Sequence, residues 1–173
     1  MDKPMNIWIL NHYATPPTLP GGTRHFDFAE ELTKQGHHVS IFASAFMHKT
    51  RKDERLKSKG QYRKEVIDGV EFCWIRTSPY YGGNDRRRVV NMLSYGLRVA
   101  VVGVRFRPRP DVILASSPHP FAGLAGYALA KVRHSRFVFE VRDLWPQTLV
   151  DIGGYSPRSV VVRTLGVLER FLY

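Results

Sequence analysis

Two short apolar runs, Asn6 to Leu10 and Val39 to Ala43, stand on either side of one amphipathic segment. Between them, His12 to Pro20 carries three prolines and reads as a loop. From Thr23 the period becomes helical: Phe26, Ala29, Leu32 and Thr33 share a face, Glu30, Glu31 and Lys34 lie outside it, and Gly36 stops the helix. Strand, loop, helix and strand within about forty residues make the βαβ unit of a parallel sheet. Few other folds accept that spacing.

The rest of the chain extends the pattern. Lys49 to Lys64 is basic and poor in apolar residues, and is expected to be an exposed loop. Gln61 to Val66 and Val70 to Thr77 flank Asp68-Gly69, a strong hairpin signal. Tyr80 to Asp85 is a loop, and Arg86 to Arg107 a long amphipathic helix ended by Pro108 and Pro110. Its stripe of Val90, Leu93, Leu97, Val101 and Val104 is expected to pack on the sheet, with Asn91, Ser94, Arg98 and Arg105 on another face. Asp111 to Ala115 is a buried strand, Ser116 to Pro120 a turn, and Phe121 to Val132 a helix turning Leu124, Ala125, Ala128 and Leu129 inward. Arg136 to Val141 is the last strand. Pro146 to Ile152 is a short helix broken by Gly153-Gly154, and a final helix carries Val161, Leu165, Leu168 and Leu172. The expectation is an α/β fold: a Rossmann-like, three-layer domain on a mostly parallel sheet. That final helix meets Tyr173 without a glycine, proline or polar cap, so the pattern reads as one domain cut from a longer protein.

Charge and cysteine usage narrow the functional classes. Lys and Arg number 26 against 15 Asp and Glu, a net charge of +11, so partners should be anionic. Phosphorylated small molecules, nucleic acid and a membrane surface all qualify. Cys73 is the single cysteine and lies in an apolar run, which excludes an internal disulfide and a cysteine zinc site and predicts an inert, buried thiol. No two of the seven histidines share ligand spacing with a carboxylate, so no metal site is expected. The N-terminus lacks a secretory signal, and Val89 to Phe106 is interrupted by Asn91, Ser94, Arg98 and Arg105, unlike a spanning helix. A soluble, cytoplasmic chain is expected.

Two segments could carry a site. Gly21-Gly22 lies between the first strand and its helix, where backbone N–H groups can approach a phosphate, or where glycines merely shape a turn. The dinucleotide fingerprint is absent: the spacing is Gly21-Gly-Thr-Arg-His-Phe26, and the second strand ends without an acid, so no cofactor is expected. The run Phe137-Val-Phe-Glu-Val-Arg-Asp-Leu-Trp-Pro146 ends a buried strand in Arg142-Asp143, at the edge where open α/β sheets bind ligands. Asp143 could orient or deprotonate a substrate hydroxyl, or cap the helix that follows. Arg142 could meet a phosphate, or pair with Glu140 or Asp143. Glu140, inside an apolar strand, needs a partner if buried. His119 would lie at the same edge, although a surface turn histidine is the commoner case. Arg86-Arg-Arg88 opposes the helix dipole and suggests an anionic partner there, anionic lipid headgroups included.

Gly21-Gly-Thr-Arg24 after a proline-rich loop, the basic insertion with its hairpin, and Glu140-Val-Arg-Asp-Leu-Trp-Pro-Gln147 together resemble the N-terminal domain of glycosyltransferase family 4. The likeness runs along essentially the whole chain. It is closest to bacterial enzymes that transfer amino sugars to polyprenyl-diphosphate-linked acceptors in surface-polysaccharide synthesis. It implies half of a GT-B architecture, with the nucleotide-sugar donor held largely by a C-terminal domain that this sequence lacks, and retaining chemistry without a metal. Gly21 and Gly22, with Thr23, would lie near the donor diphosphate, and His119 on the substrate side. Asp143 and Arg142 would lie beside the reacting hydroxyl. The implied partners are the donor, a lipid-carried or glycan acceptor, the anionic inner face of the cell membrane and a C-terminal domain supplied in trans, with no nucleic acid. Alone, the chain is expected to turn over negligibly. The rival class is a noncatalytic basic module on nucleic acid or anionic lipid, told apart by salt-steep nucleic-acid binding. An epimerase is the poorer third, lacking a Tyr-x-x-x-Lys pair.

Overall fold

Alternation along the first strand decides how the layers stack. The computed structural model describes residues 3–53, 55–56, 60–81, 86–151 and 154–173. In β1 (Asn6–Leu10), Ile7 and Ile9 point to one face and pack with Phe26 and Ala29 of α1 (Arg24–Lys34). Trp8 and Leu10 point to the other, where α2 (Arg86–Arg105) and α3 (Pro120–Arg133) supply Tyr95, Val99, Val102, Ala122, Ala125 and Leu129. The sheet is therefore sandwiched, α1 on one side and α2 with α3 on the other.

The remaining elements are β2 (His38–Ser44), β3 (Phe46–Met47), β4 (Lys52–Asp53), β5 (Tyr62–Ile67), β6 (Val70–Ile75), β7 (Val112–Ser116), β8 (Arg136–Glu140), α4 (Gln147–Asp151) and α5 (Val160–Leu172). Six strands form one sheet in the order β5-β6-β2-β1-β7-β8, all parallel except the β5–β6 hairpin. Ile9 pairs with Ile41 on one side and Leu114 on the other, so β1 is the buried centre. The Rossmann-like α/β expectation holds. Asp68 and Gly69 turn the hairpin at φ of 47° and 81°, the two-residue form their sequence favours. Gly36, at φ of +89°, lets the chain leave α1. The Ser159 hydroxyl accepts from the Val162 N–H at 3.3 Å and caps α5, which lies on α3 through Val162, Leu165 and Leu172.

Several expectations are corrected. The stripe Val90, Leu93, Leu97, Val101 and Val104 faces solvent, and α2 instead buries Asn91, Met92, Tyr95, Val99 and Val102. Asn91 tolerates the core because its side-chain amide donates to Thr77 Oγ1 at 3.0 Å and to the Ser78 carbonyl at 2.7 Å. Gly96 and Gly103 sit against Phe121 and Leu129 of α3, where any side chain would collide. Residues 49–64 are not simply an exposed loop: β4 pairs with β3, Leu56 is buried, and Arg55 holds Glu65 at 3.0 Å. In α3 the inward set is Ala122, Ala125, Leu129 and Ala130, with Ala128 exposed, because Gly123 and Gly126 let the helix settle directly on Phe139 and Ala115. In α5 Val162 rather than Val161 faces inward. Cys73 is fully buried, which pushes its thiol pKa up. The predicted loop residues 82–85, Gly153, and Lys57 and Lys59 of the basic segment lie outside the described residues.

Candidate functional site

Strand order reverses at β1: the chain moves from it to β2 on one side and returns to β7 on the other. Loops leaving the carboxyl ends of such a pair separate and leave a crevice. Here that crevice is a cleft of about 290 Å³. Its walls are His12, Tyr13, Thr15, Gly21 and Gly22 from the loop after β1, Phe46 to Lys49 after β2, Arg88 of α2, Pro118 after β7 and Asp143 after β8. A larger open groove of about 980 Å³ runs along the opposite, amino edge, past Lys3, Asp111 and Arg136. We place the candidate site in the smaller one, because the loops that diverge at the switch point meet there.

The diglycine wall is shaped by close approach. A Cβ at Gly21 would run into the buried Thr15 side chain, with Cγ2 at 2.8 Å, whereas one at Gly22 would meet nothing within 4 Å. Gly21 thus lets the loop fold back on itself, and Gly22 leaves open space toward the cleft. Thr15 Oγ1 donates to the Gly22 carbonyl at 3.4 Å, and Ala14 bridges Gly22, so both ends of the loop are tied together.

Under the floor lies an aromatic and imidazole cluster. His12 Nδ1 and His119 Nε2 share a hydrogen bond of 2.7 Å, and His12 is stacked between Tyr13 and Tyr95 at ring separations of 4.4 and 4.5 Å. Tyr95 Oη donates to the Phe42 carbonyl at 2.7 Å. Burial, with the Arg88 charge adding to it, pushes His119 down to about 3. Burial also holds His12 well below its ordinary value, reinforced by His119, His48 and Arg88. His48, bonded to the Tyr80 hydroxyl, is lowered by burial and by Arg88, Arg51 and Lys49. The imidazoles are therefore neutral at pH 7, and the positive field of the cleft comes from Arg88, Arg51 and Lys49.

A second network clasps the two lips. The Tyr13 N–H must meet an oxygen, so Asn11 Oδ1 accepts it at 3.0 Å and the Asn11 amide nitrogen turns to His25 Nδ1 at 2.8 Å. That makes Nδ1 the acceptor, and His25 Nε2 carries the proton it donates to Glu140 Oε2 at 2.7 Å. Arg24 Nε donates to Glu140 Oε1 at 3.0 Å. Burial would raise the Glu140 carboxyl, but its polar neighbours Ser116, His25 and Arg24 outweigh that and hold it below the usual range. His25, lowered chiefly by burial, stays neutral. Glu140, flagged in the sequence as needing a partner, has two.

Of the residues singled out in the sequence, the structure brings Gly21, Gly22 and Asp143 to one cleft. Asp143 is exposed there. The other three do not line it. Thr23 stands at the head of α1 without a side-chain capping bond, its hydroxyl donating instead to the Asp27 carboxylate at 2.9 Å. Arg142 is exposed, and its backbone N–H donates to Ser117 Oγ at 2.8 Å. His119 is not a surface turn residue but fully buried, because Pro120 starts α3 and swings the preceding side chain under His12. Arg88, singled out in Arg86-Arg-Arg88 as facing an anionic partner, does line the cleft, whereas sequence reasoning missed His12, Tyr13 and His48. Only His12 and Tyr13 carried a signal, their place directly after a parallel strand.

Chemically, the cleft offers cationic side chains and backbone from a glycine turn to an anionic group, and one carboxylate that can take or orient a hydroxyl proton. Among the described residues no cluster of three His, Cys, Asp or Glu side chains is placed to hold a metal ion, and no helix is long and apolar enough to cross a membrane. Residues 21–173 match the model of the glycosyl transferase 4-like domain. A solved structure described as that of the glycotransferase of kitacinnamycin is similar at 13% identity and a TM-score of 0.49. The similarity covers 98% of this chain and 39% of that one. A comparison with curated proteins returned no match.

Proposed function

This chain belongs to the glycosyl transferase 4-like family, and from that premise we propose that it forms the acceptor-side half of a retaining, metal-independent glycosyltransferase. The reaction moves a sugar from a nucleotide-sugar donor to a polyprenyl-diphosphate-linked or glycan acceptor during cell-surface polysaccharide synthesis, at the cytoplasmic face of the membrane. One observation carries this reading: Gly21, Gly22 and Asp143, separated by over a hundred residues in sequence, line a single cleft at the point where strand order reverses.

In this reading the acceptor hydroxyl lies against Asp143, which orients it and draws on its proton as the new glycosidic bond forms. The bond from the sugar to the diphosphate breaks, and the charge left on the diphosphate is met by the Gly21-Gly22 turn at the head of α1 and by the field of Arg88 and Lys49. Arg142 steadies the sugar side from the rim. Thr23 holds the turn through α1, and His119 holds His12 in the floor. A second domain, joined or supplied in trans, closes over the donor.

The test is reconstitution. With a donor-binding domain supplied, transfer of labelled sugar to a polyprenyl-diphosphate acceptor should appear, and Asp143→Ala should lower kcat by about a hundredfold with little change in acceptor binding. Turnover unchanged by Asp143→Ala would remove that residue from the chemistry. Full turnover by the chain without a second domain would overturn the half-site reading.

A further inference from the structure

We propose that the outer face of α2 is a docking surface for an anionic lipid bilayer. The inference deepens the transferase reading, on which it rests only for the lipid-carried acceptor. Val90, Leu93, Leu97, Val101 and Val104 recur at helical spacing and all face solvent, Leu97 at 69% and Val101 at 66% exposure. The stripe follows a helix of 20 residues, roughly 30 Å at 1.5 Å per residue.

Rotation cannot hide it. The opposite face is locked inward by Tyr95 bonded to Phe42, by Asn91 bonded to Thr77 and Ser78, and by Gly96 and Gly103 against α3. A helix with apolar residues on both faces and only one of them packed presents the other to a partner.

Charge selects which partner. Arg87, Arg98 and Arg105 recur at intervals of 11 and 7 residues, which sets all three along one flank of the stripe. Arg87 and Arg105 are exposed, and α2 contains no Asp or Glu. Apolar side chains bordered by arginines, with no acid among them, match an in-plane helix lying at the headgroup level of anionic lipid. A second copy of this chain would set one arginine row against another. α2 also begins at the cleft, with Arg88 in its wall. A bilayer along this face therefore reaches the mouth of the site.

The test uses this chain and vesicles, without turnover, so its failure is separable from failure of the transferase reading. Vesicles of phosphatidylcholine with phosphatidylglycerol should co-sediment the protein, and pure phosphatidylcholine should do so far less. Leu97→Glu with Val101→Glu should weaken binding by at least about tenfold, and Arg87→Gln with Arg105→Gln by about tenfold with a flatter salt dependence. An environment-sensitive dye on Leu97→Cys should shift to the blue with anionic vesicles, while the same dye on Glu31→Cys, exposed on α1, should not. Buried Cys73 does not compete for the label. Absent vesicle binding, binding untouched by the glutamates, or a shift at position 31 and none at 97 would each overturn the proposal. So would a concentration-dependent dimer that the glutamates abolish, with no vesicle binding: the occupant is then a second copy.

Discussion

Lowering the pH from 7 to 5 should destabilise this protein through two buried histidines. In the unfolded chain an imidazole titrates near 6.5. In the fold, burial pushes His119 down to about 3 and His12 well below its ordinary value. Both folded values are depressed, so the unfolded state binds more protons between them and 6.5, and stability is lost as pH falls through that window. His119 then costs about 1.4 kcal/mol per pH unit once below 6.5, or about 2 kcal/mol between pH 7 and 5, and His12 adds to that loss in the same direction. A loss of about 2 kcal/mol from His119 alone is already a sizeable share of the 5–15 kcal/mol typical of a domain. Glu140, held below the usual carboxylate range, loses its contribution only at lower pH, outside this window. Urea unfolding followed by circular dichroism at pH 7, 6 and 5 reads the effect directly. His119→Phe should be less stable at pH 7, having lost the bond to His12, but its further loss on going to pH 5 should be smaller by about 2 kcal/mol. His25 and His48, also lowered by burial, are common to both proteins and cancel. Equal losses in the two proteins would refute the claim that these imidazoles are buried neutral.

Other substitutions separate packing from chemistry. Gly21→Ala drives a methyl into Thr15 and should cost about 1–3 kcal/mol in chemical denaturation, while Gly22→Ala, facing open space, should change stability by less than about 0.5 kcal/mol. Gly96→Ala meets the Phe121 carbonyl at 2.9 Å and should lower Tm by several degrees by calorimetry, since backbone cannot yield as a side-chain tip can. Tyr95→Phe removes the bond to the Phe42 carbonyl, which still accepts from the Asn11 N–H at 3.1 Å, so the loss in urea unfolding should be near 1 kcal/mol.

What could be read from the sequence was what local signals encode. The βαβ start and the Asp68-Gly69 hairpin each rest on neighbouring residues and stand where expected. The strand before Arg142-Asp143 stands in place as β8, but at the sheet edge and only partly covered, not buried as its apolar run suggested. The orientation of α2 was not legible. Its apolar residues fall on two faces, and periodicity alone cannot say which one the sheet takes when the core face also holds Asn91. The His12–His119 bond was equally hidden, because its partners are 107 residues apart and neither lies in a recognisable motif. Glu140 is intermediate. Its misfit in an apolar strand announced a partner, but only the fold could supply Arg24 and His25.

The clasp between Asn11, His25 and Glu140 bears on the order in which this molecule becomes competent. Its last link spans 115 residues, and the strand at its root, β1, receives one neighbour from the chain just after it and the other from beyond residue 110. Closing so long a loop is unfavourable until the contacts that repay it have formed. A nascent or partly folded chain that has built only the hairpin half of the sheet owns the glycine bend without the carboxylate opposite it. On the proposed reading of the cleft, ligand recognition is thus withheld until β7 and β8 have docked and set Asp143 opposite the glycine bend.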